Sequence, residues 1–111
     1  MNVKVIIKGG ANMNIYLFCN AGMSTSLVGS KLKKSYHEIG RTEVEVEAFD
    51  FSMLQDVVEE ADVIIIGPQI AWAYEDVKRD YPHKKVILLT MAEFGSMNGQ
   101  VVLERIEKEI M

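Results

Sequence analysis

Four β-branched residues stand in a row at Val63-Ile64-Ile65-Ile66, bounded by Asp62 and Gly67. Successive side chains of a strand point to opposite faces, so a run with no polar position must be covered on both. That demand places it inside a parallel sheet with helices above and below, and no other stretch limits the fold as much. Ile15-Tyr16-Leu17-Phe18 and Val86-Ile87-Leu88-Leu89 are two more apolar runs of strand length. A different pattern marks Glu43-Val44-Glu45-Val46-Glu47-Ala48-Phe49, where acids alternate with apolar residues. One wet face and a row of charges suit the edge of a sheet.

The segments between these strands have helical period. Residues Thr25 to Ile39 carry Leu27-Val28, Leu32, Tyr36 and Ile39 on one face. Ser24 or Thr25 can cap that helix, Gly40 suits the left-handed residue after its end, and Gly29 suggests a close approach to the sheet. Ser52 to Ala61 predicts a second helix, with Ser52 and Gln55 as a capping box and Leu54, Val57, Val58 and Ala61 inward. Pro68-Gln69 opens a third, with Ile70, Ala73, Tyr74 and Val77 inward. Met91 to Gly99 reads as a loop, and the last helix buries Val102, Ile106 and Ile110. The order β-α-β-α-β-α-β-α calls for an α/β fold: a single four-stranded parallel sheet, strand order 2-1-3-4, with helices on both faces. The loops after the first, third and fourth strands are expected to meet. Residues 1–12, with alternating Val3, Val5 and Ile7 and then Gly9-Gly10, read as an N-terminal leader, and residues 13–111 as the domain.

Within that frame, Met13 to Ser26 (M-N-I-Y-L-F-C-N-A-G-M-S-T-S) is where chemistry is expected. The first strand ends at Cys19, the only cysteine of the 111-residue chain, at the carboxyl edge of the sheet where such folds place ligands. Small residues and hydroxyls follow, and then a helix. The first N–H groups of a helix lack internal partners, and its dipole puts about +0.5 charge there, an arrangement that binds phosphate and favours thiolate over thiol. A lone cysteine after an apolar run is otherwise an inert core residue; the absence of bulk in the next seven residues, Met23 apart, favours the reactive reading.

A net charge of −4 argues against nucleic acid. No apolar run approaches the ~20 residues that cross a membrane, and no secretory signal is visible. One cysteine excludes an internal disulfide and a multi-cysteine metal site. No cofactor and no metal are called for, and the balance suits a cytoplasmic protein.

Ile15–Ser26 (I-Y-L-F-C-N-A-G-M-S-T-S), Ala61–Ile70 (A-D-V-I-I-I-G-P-Q-I) and the F-G-x-x-N-G stretch at Phe94–Gly99 resemble the enzyme IIB component of the bacterial sugar phosphotransferase system, cellobiose/lactose type. The resemblance runs over Met13 to Ile110 and implies a flavodoxin-like, low-molecular-weight-phosphatase-like architecture. It further implies that Cys19 accepts a phosphoryl group from a phosphohistidine on a IIA protein. The group then passes to a cellobiose-, lactose- or chitobiose-like sugar carried by the membrane permease IIC. Asn20, Ala21, Gly22, Met23, Ser24, Thr25 and Ser26 would form the phosphate-binding loop. The protein would be cytoplasmic, held at the membrane through IIC without inserting.

The main alternative is a low-molecular-weight protein tyrosine phosphatase, whose similar loop carries an arginine after five intervening residues. Thr25 occupies that place, so the bidentate guanidinium ligand for phosphate is missing. Such a hydrolase also needs a carboxylic acid on the loop after the fourth strand, where Glu93 is the candidate, although a solvated loop glutamate is the better reading. Trp72, Tyr74, Tyr81 and Phe94 offer a docking surface or, more simply, core. His37 and His83 read as solvated, not as phosphohistidines.

Overall fold

A computed structural model describes residues 12–20 and 22–110. The expected leader therefore lies, but for Asn12, outside the described residues. The elements are β1 (Met13–Cys19), α1 (Met23–Glu38), β2 (Val44–Asp50), α2 (Leu54–Val57), β3 (Val63–Ile66), α3 (Tyr74–Asp80), β4 (Lys85–Leu88), α4 (Met91–Gly95) and α5 (Gly99–Ile110). The four strands are parallel and ordered β2-β1-β3-β4, the 2-1-3-4 arrangement that the hydrophobic patterns require.

Two cores follow from the two-residue period of the strands. Ile15, Leu17 and Cys19 face α1 and α5 together with Val63, Ile65 and Ile87. Tyr16 and Phe18 face the opposite way with Ile64, Ile66 and Val86, against Leu54, Val58, Ile70 and Val77. The thiol thus points to the α1 side because it shares parity with Ile15 and Leu17. On that side β2 contributes Val44 and Val46, and Glu47 turns to solvent at the edge.

Several local expectations are corrected. Helix α1 starts at Met23, two residues early, and leaves Leu27 and Ile39 exposed, because the buried stripe runs through Thr25, Val28, Gly29, Leu32 and Tyr36. A methyl at Gly29 would sit 3.5 Å from the Ala48 Cβ, ordinary contact, so space does not demand glycine there. Gly40 does take the left-handed conformation after the helix, at φ 84°. The second helix is broken: a 3-10 turn at Phe51–Met53, one α turn at Leu54–Val57 and another 3-10 turn at Val58–Glu60. Ser52 forms no capping box, since its N–H and hydroxyl both donate to Asp50, at 3.0 and 2.7 Å. The third opens as a 3-10 segment, Pro68–Ala73, kinked at Ile70, before α3.

Met91 to Gly99 is not a plain loop. Thr90 and Glu93 form a capping box that starts α4. At the start of α5, a side chain on Gly99 would overlap the Lys31 carbonyl, so this glycine lets α5 cross α1. Tyr36 ties the same two helices by donating to Glu107 at 2.7 Å. Ile110, expected inward with Val102 and Ile106, is instead exposed at 36%.

Candidate functional site

Cys19 ends β1, between Asp50 on β2 and the residue after β3. The register pairs Cys19 with Asp50 and Phe18 with Ile66, so the next residue, Gly67, lies beside Cys19 on the same face. The Gly67 N–H donates to the Phe18 carbonyl at 2.9 Å and continues the ladder by one step. Any Cβ on Gly67 would stand 2.5 Å from the Cys19 Sγ and 3.2 Å from the Gln69 Oε1. Glycine is required here by space and not by backbone, since φ −69° and ψ 153° suit any residue. Cys19 is 1% exposed, and its thiol donates to Gln69 Oε1 at 2.8 Å.

Beyond the thiol the chain turns at Gly22, whose φ of 62° and ψ of −122° lie in a region L-residues avoid. Gly22 is the N-cap of α1, and no side chain caps the helix. The expected caps, Ser24 and Thr25, fail because both already lie inside the first turn. The Gly22 carbonyl accepts from the Thr25 N–H at 3.1 Å and the Ser26 N–H at 3.3 Å, so those two donors are engaged. No acidic residue stands in that turn to compete for an anion.

A cleft of about 300 Å3 opens at this point. Cys19, Gly22, Met23, Thr25 and Ser26 line one side, and Ala48, Phe49 and Asp50 the other. Of the residues expected to hold phosphate, Asn20 and Ser24 are exposed and outside this lining, and Ala21 lies outside the described residues. Met23 is 82% exposed at the cleft mouth. Thr25 is the informative member. It is 4% exposed, and its Oγ1 is buried with no hydrogen-bond partner among the described residues. A buried hydroxyl left unpaired costs about 1–3 kcal/mol, and here it borders the cleft that holds the thiol.

The loop after β4 was expected to join this site, yet none of its described residues lines the cleft. In the 2-1-3-4 order, β1 touches only β2 and β3, and β4 is one strand too far. Asp50, unforeseen from sequence, comes from β2 instead. Hydrogen bonds from the Ser52 hydroxyl and N–H hold its carboxyl below the usual range. Gly67 and Gln69 were also missed. The register argument could have found Gly67, but the Gln69 contact spans 50 positions and has no local signal.

Glu93 is not a free acid. Burial pushes its carboxyl up, but the Thr90 N–H and the Arg105 guanidinium, 2.6 Å away, outweigh that and hold it below the ordinary glutamate range. His37 is half-buried, with Nε2 3.2 Å from the Val44 carbonyl, at the end of the sheet opposite Cys19; His83 is exposed. Phe94 is core, whereas Trp72 is 71% exposed and meets the Phe51 ring edge-on at 5.7 Å. Among the described residues no cluster of metal-ligating side chains occurs, and no helix is long and apolar enough to cross a membrane.

The family model described as PTS system, Lactose/Cellobiose specific IIB subunit matches residues 14–105. The chain belongs to this family. It is therefore a IIB component of a sugar phosphotransferase system, of the cellobiose/lactose type, with a phosphotransferase role, and the phosphatase alternative finds no support. An oligo-β-mannoside-specific EIIB component of Bacillus subtilis is 30% identical over 93 residues, covering 82% of this chain and 89% of that one. A galactose-specific EIIB component of Lactococcus lactis is 32% identical over 104 residues, covering 87% and 95%. The solution structure of a cellobiose-specific IIB component from Borrelia burgdorferi superimposes on this IIB component with a TM-score of 0.72 at 28% identity, covering 91% and 94%. A lactose-specific IIB domain from Streptococcus pneumoniae shares the fold, with a TM-score of 0.78 at 12% identity over 90% and 99% of the two chains.

Proposed function

We propose that Cys19 is the residue of this IIB component that carries the phosphoryl group. A phosphohistidine on a IIA protein is the donor, and a cellobiose-, lactose- or chitobiose-like sugar moved by IIC is the acceptor. The transfer forms an S–P bond as the N–P bond breaks, and the thiol proton ends on the imidazole nitrogen that loses phosphorus. The returning step breaks S–P, forms an O–P bond to a sugar hydroxyl and returns that hydroxyl's proton to sulfur. Phosphoryl transfer asks the protein mainly for position and for donors around the equatorial oxygens. The uncapped first turn of α1 and the Thr25 hydroxyl supply such donors, with Gly22 making the turn that presents them.

The observation that carries the reading is the Thr25 Oγ1, which has no partner among the described residues and borders the cleft that holds the chain's single thiol. A partnership with IIC is further supported by a lactose-specific EIICB component of Staphylococcus aureus, 27% identical over 86% of this chain, which accounts for 17% of that longer protein. The site of action would be the cytoplasmic face of the membrane, reached through IIC.

Intact-protein mass spectrometry after incubation with phosphoenolpyruvate and the upstream phosphotransferase proteins tests this. One thiol-linked phosphate is expected on the wild type and none on Cys19→Ser, which stays folded because the hydroxyl nearly matches the thiol in shape. Label on Cys19→Ser would move the acceptor elsewhere.

A further inference from the structure

Gln69 touches the reacting sulfur and is absent from the loop that follows Cys19. Its Oε1 accepts the thiol proton at 2.8 Å, and Gly67 leaves room for both groups, since a Cβ there would strike each of them. This contact suits only the protonated thiol. A thiolate has no proton to give, and neither does a sulfur that carries a phosphoryl group, so either would face the lone pairs of Oε1. A carboxamide bears an acceptor and two N–H donors on one plane, and half a turn about its last torsion exchanges them. Gln69 as a residue is exposed, at the start of the Pro68–Ala73 segment.

We propose that the Gln69 carboxamide switches from acceptor to donor as Cys19 is charged. Oε1 holds the resting thiol, and Nε2 donates to the sulfur and then to a phosphoryl oxygen. When the N–P bond of the donor phosphohistidine breaks and S–P forms, the thiol proton leaves for the imidazole, and Gln69 replaces its lost contact by turning its N–H groups inward. This rests on Cys19 being the acceptor, and it adds a donor from outside the loop to the cradle. The carboxamide suits both states as neither a carboxylate nor an apolar side chain would.

The test compares Gln69→Glu, which keeps the acceptor and loses the donors, with Gln69→Leu, which loses both. The phosphate is first located on wild-type Cys19 by mass spectrometry. For both variants, kcat for transfer from phosphorylated IIA should fall about tenfold to a hundredfold, with KM within about twofold, because loss of one well-placed donor costs up to that order. In the 15N-labelled wild type, phosphorylation should shift the Gln69 side-chain amide signals more than those of Gln55 and Gln100. A wild-type rate in Gln69→Glu, or unmoved Gln69 signals on a protein that carries its phosphate on Cys19, overturns the switch and leaves Cys19 as acceptor. Phosphate found elsewhere than on Cys19 overturns both.

Discussion

Replacing Gly67 by alanine adds one methyl group 2.5 Å from the Cys19 Sγ and 3.0 Å from its Cβ. Optimal separation between non-bonded carbon atoms is about 3.5–4.0 Å, so the sulfur must move by roughly 1 Å. Two terms set the effect on stability. Alanine for glycine at a compatible backbone position contributes about 0.4–1 kcal/mol by restricting the unfolded chain. Overpacking a filled site costs about 1–3 kcal/mol. The net loss is then at most about 2.5 kcal/mol, and at about 4–8 °C per kcal/mol the melting temperature falls by no more than roughly 20 °C. The effect on chemistry is larger, because a reacting atom misplaced by 1 Å costs about 100-fold in rate. Circular dichroism should therefore show a folded Gly67→Ala protein, while labelling by phosphorylated IIA slows by about two orders of magnitude. Gly95→Ala, where a Cβ meets nothing within 4 Å, is the matched control and should retain the wild-type rate. If Gly67→Ala takes up phosphate as fast as wild type, the position of the sulfur is not set by the glycine, and the steric argument fails.

Thr25→Val removes a hydroxyl that has no partner among the described residues, so the free protein should melt about 4 °C or more higher, while the phosphorylated form loses label faster. A lower melting temperature in calorimetry would mean the hydroxyl is already satisfied. Glu93 gives a pH test: its folded carboxyl titrates below the ordinary value, so its stabilisation is complete above about pH 4.5 and is lost as pH falls through the lower folded value. Glu93→Gln should cost about 1 kcal/mol at pH 7, and its urea midpoint should approach that of wild type near pH 3; a gap unchanged across that range would refute the assignment.

What the sequence revealed and what it hid divide along the range of the forces involved. The Val63–Ile66 run and the alternation from Glu43 are averages over several residues, and they fixed the sheet order. Helix α2 depended on a contest between neighbours, in which the Asp50 carboxylate took both Ser52 donors and broke the expected cap. Helix α4 was legible in principle, as Thr90-x-x-Glu93, but Gly95, Ser96 and Gly99 masked it. At the site, Cys19 and the Gly22 turn announced themselves locally, and Gly67 was implied by parity once the strand order was known. Asp50 and Gln69 could be placed only by the folded chain, because their roles rest on contacts across the sheet.

The same geometry bears on why such a loop should carry phosphate and not hydrolyse it. A hydrolase of similar fold needs a guanidinium around the transferring group and a carboxyl group that protonates the departing alcohol oxygen and then, ionised, takes a proton from the attacking water. Here Thr25 stands in place of the arginine, and the described lining of the cleft contains no cation. The one charged group in that described lining is the Asp50 carboxylate, which the Ser52 hydrogen bonds hold below the usual carboxylate range. Glu93 is paired with Arg105 and lies outside that lining, so it is not placed to take a proton from a water attacking the phosphoryl group on sulfur. A phosphoryl group on Cys19 would then rest on neutral donors, each worth about half a charge-assisted bond. Such a cradle orients the group for a partner that brings its own nucleophile, and supplies no cation to stabilise attack by water.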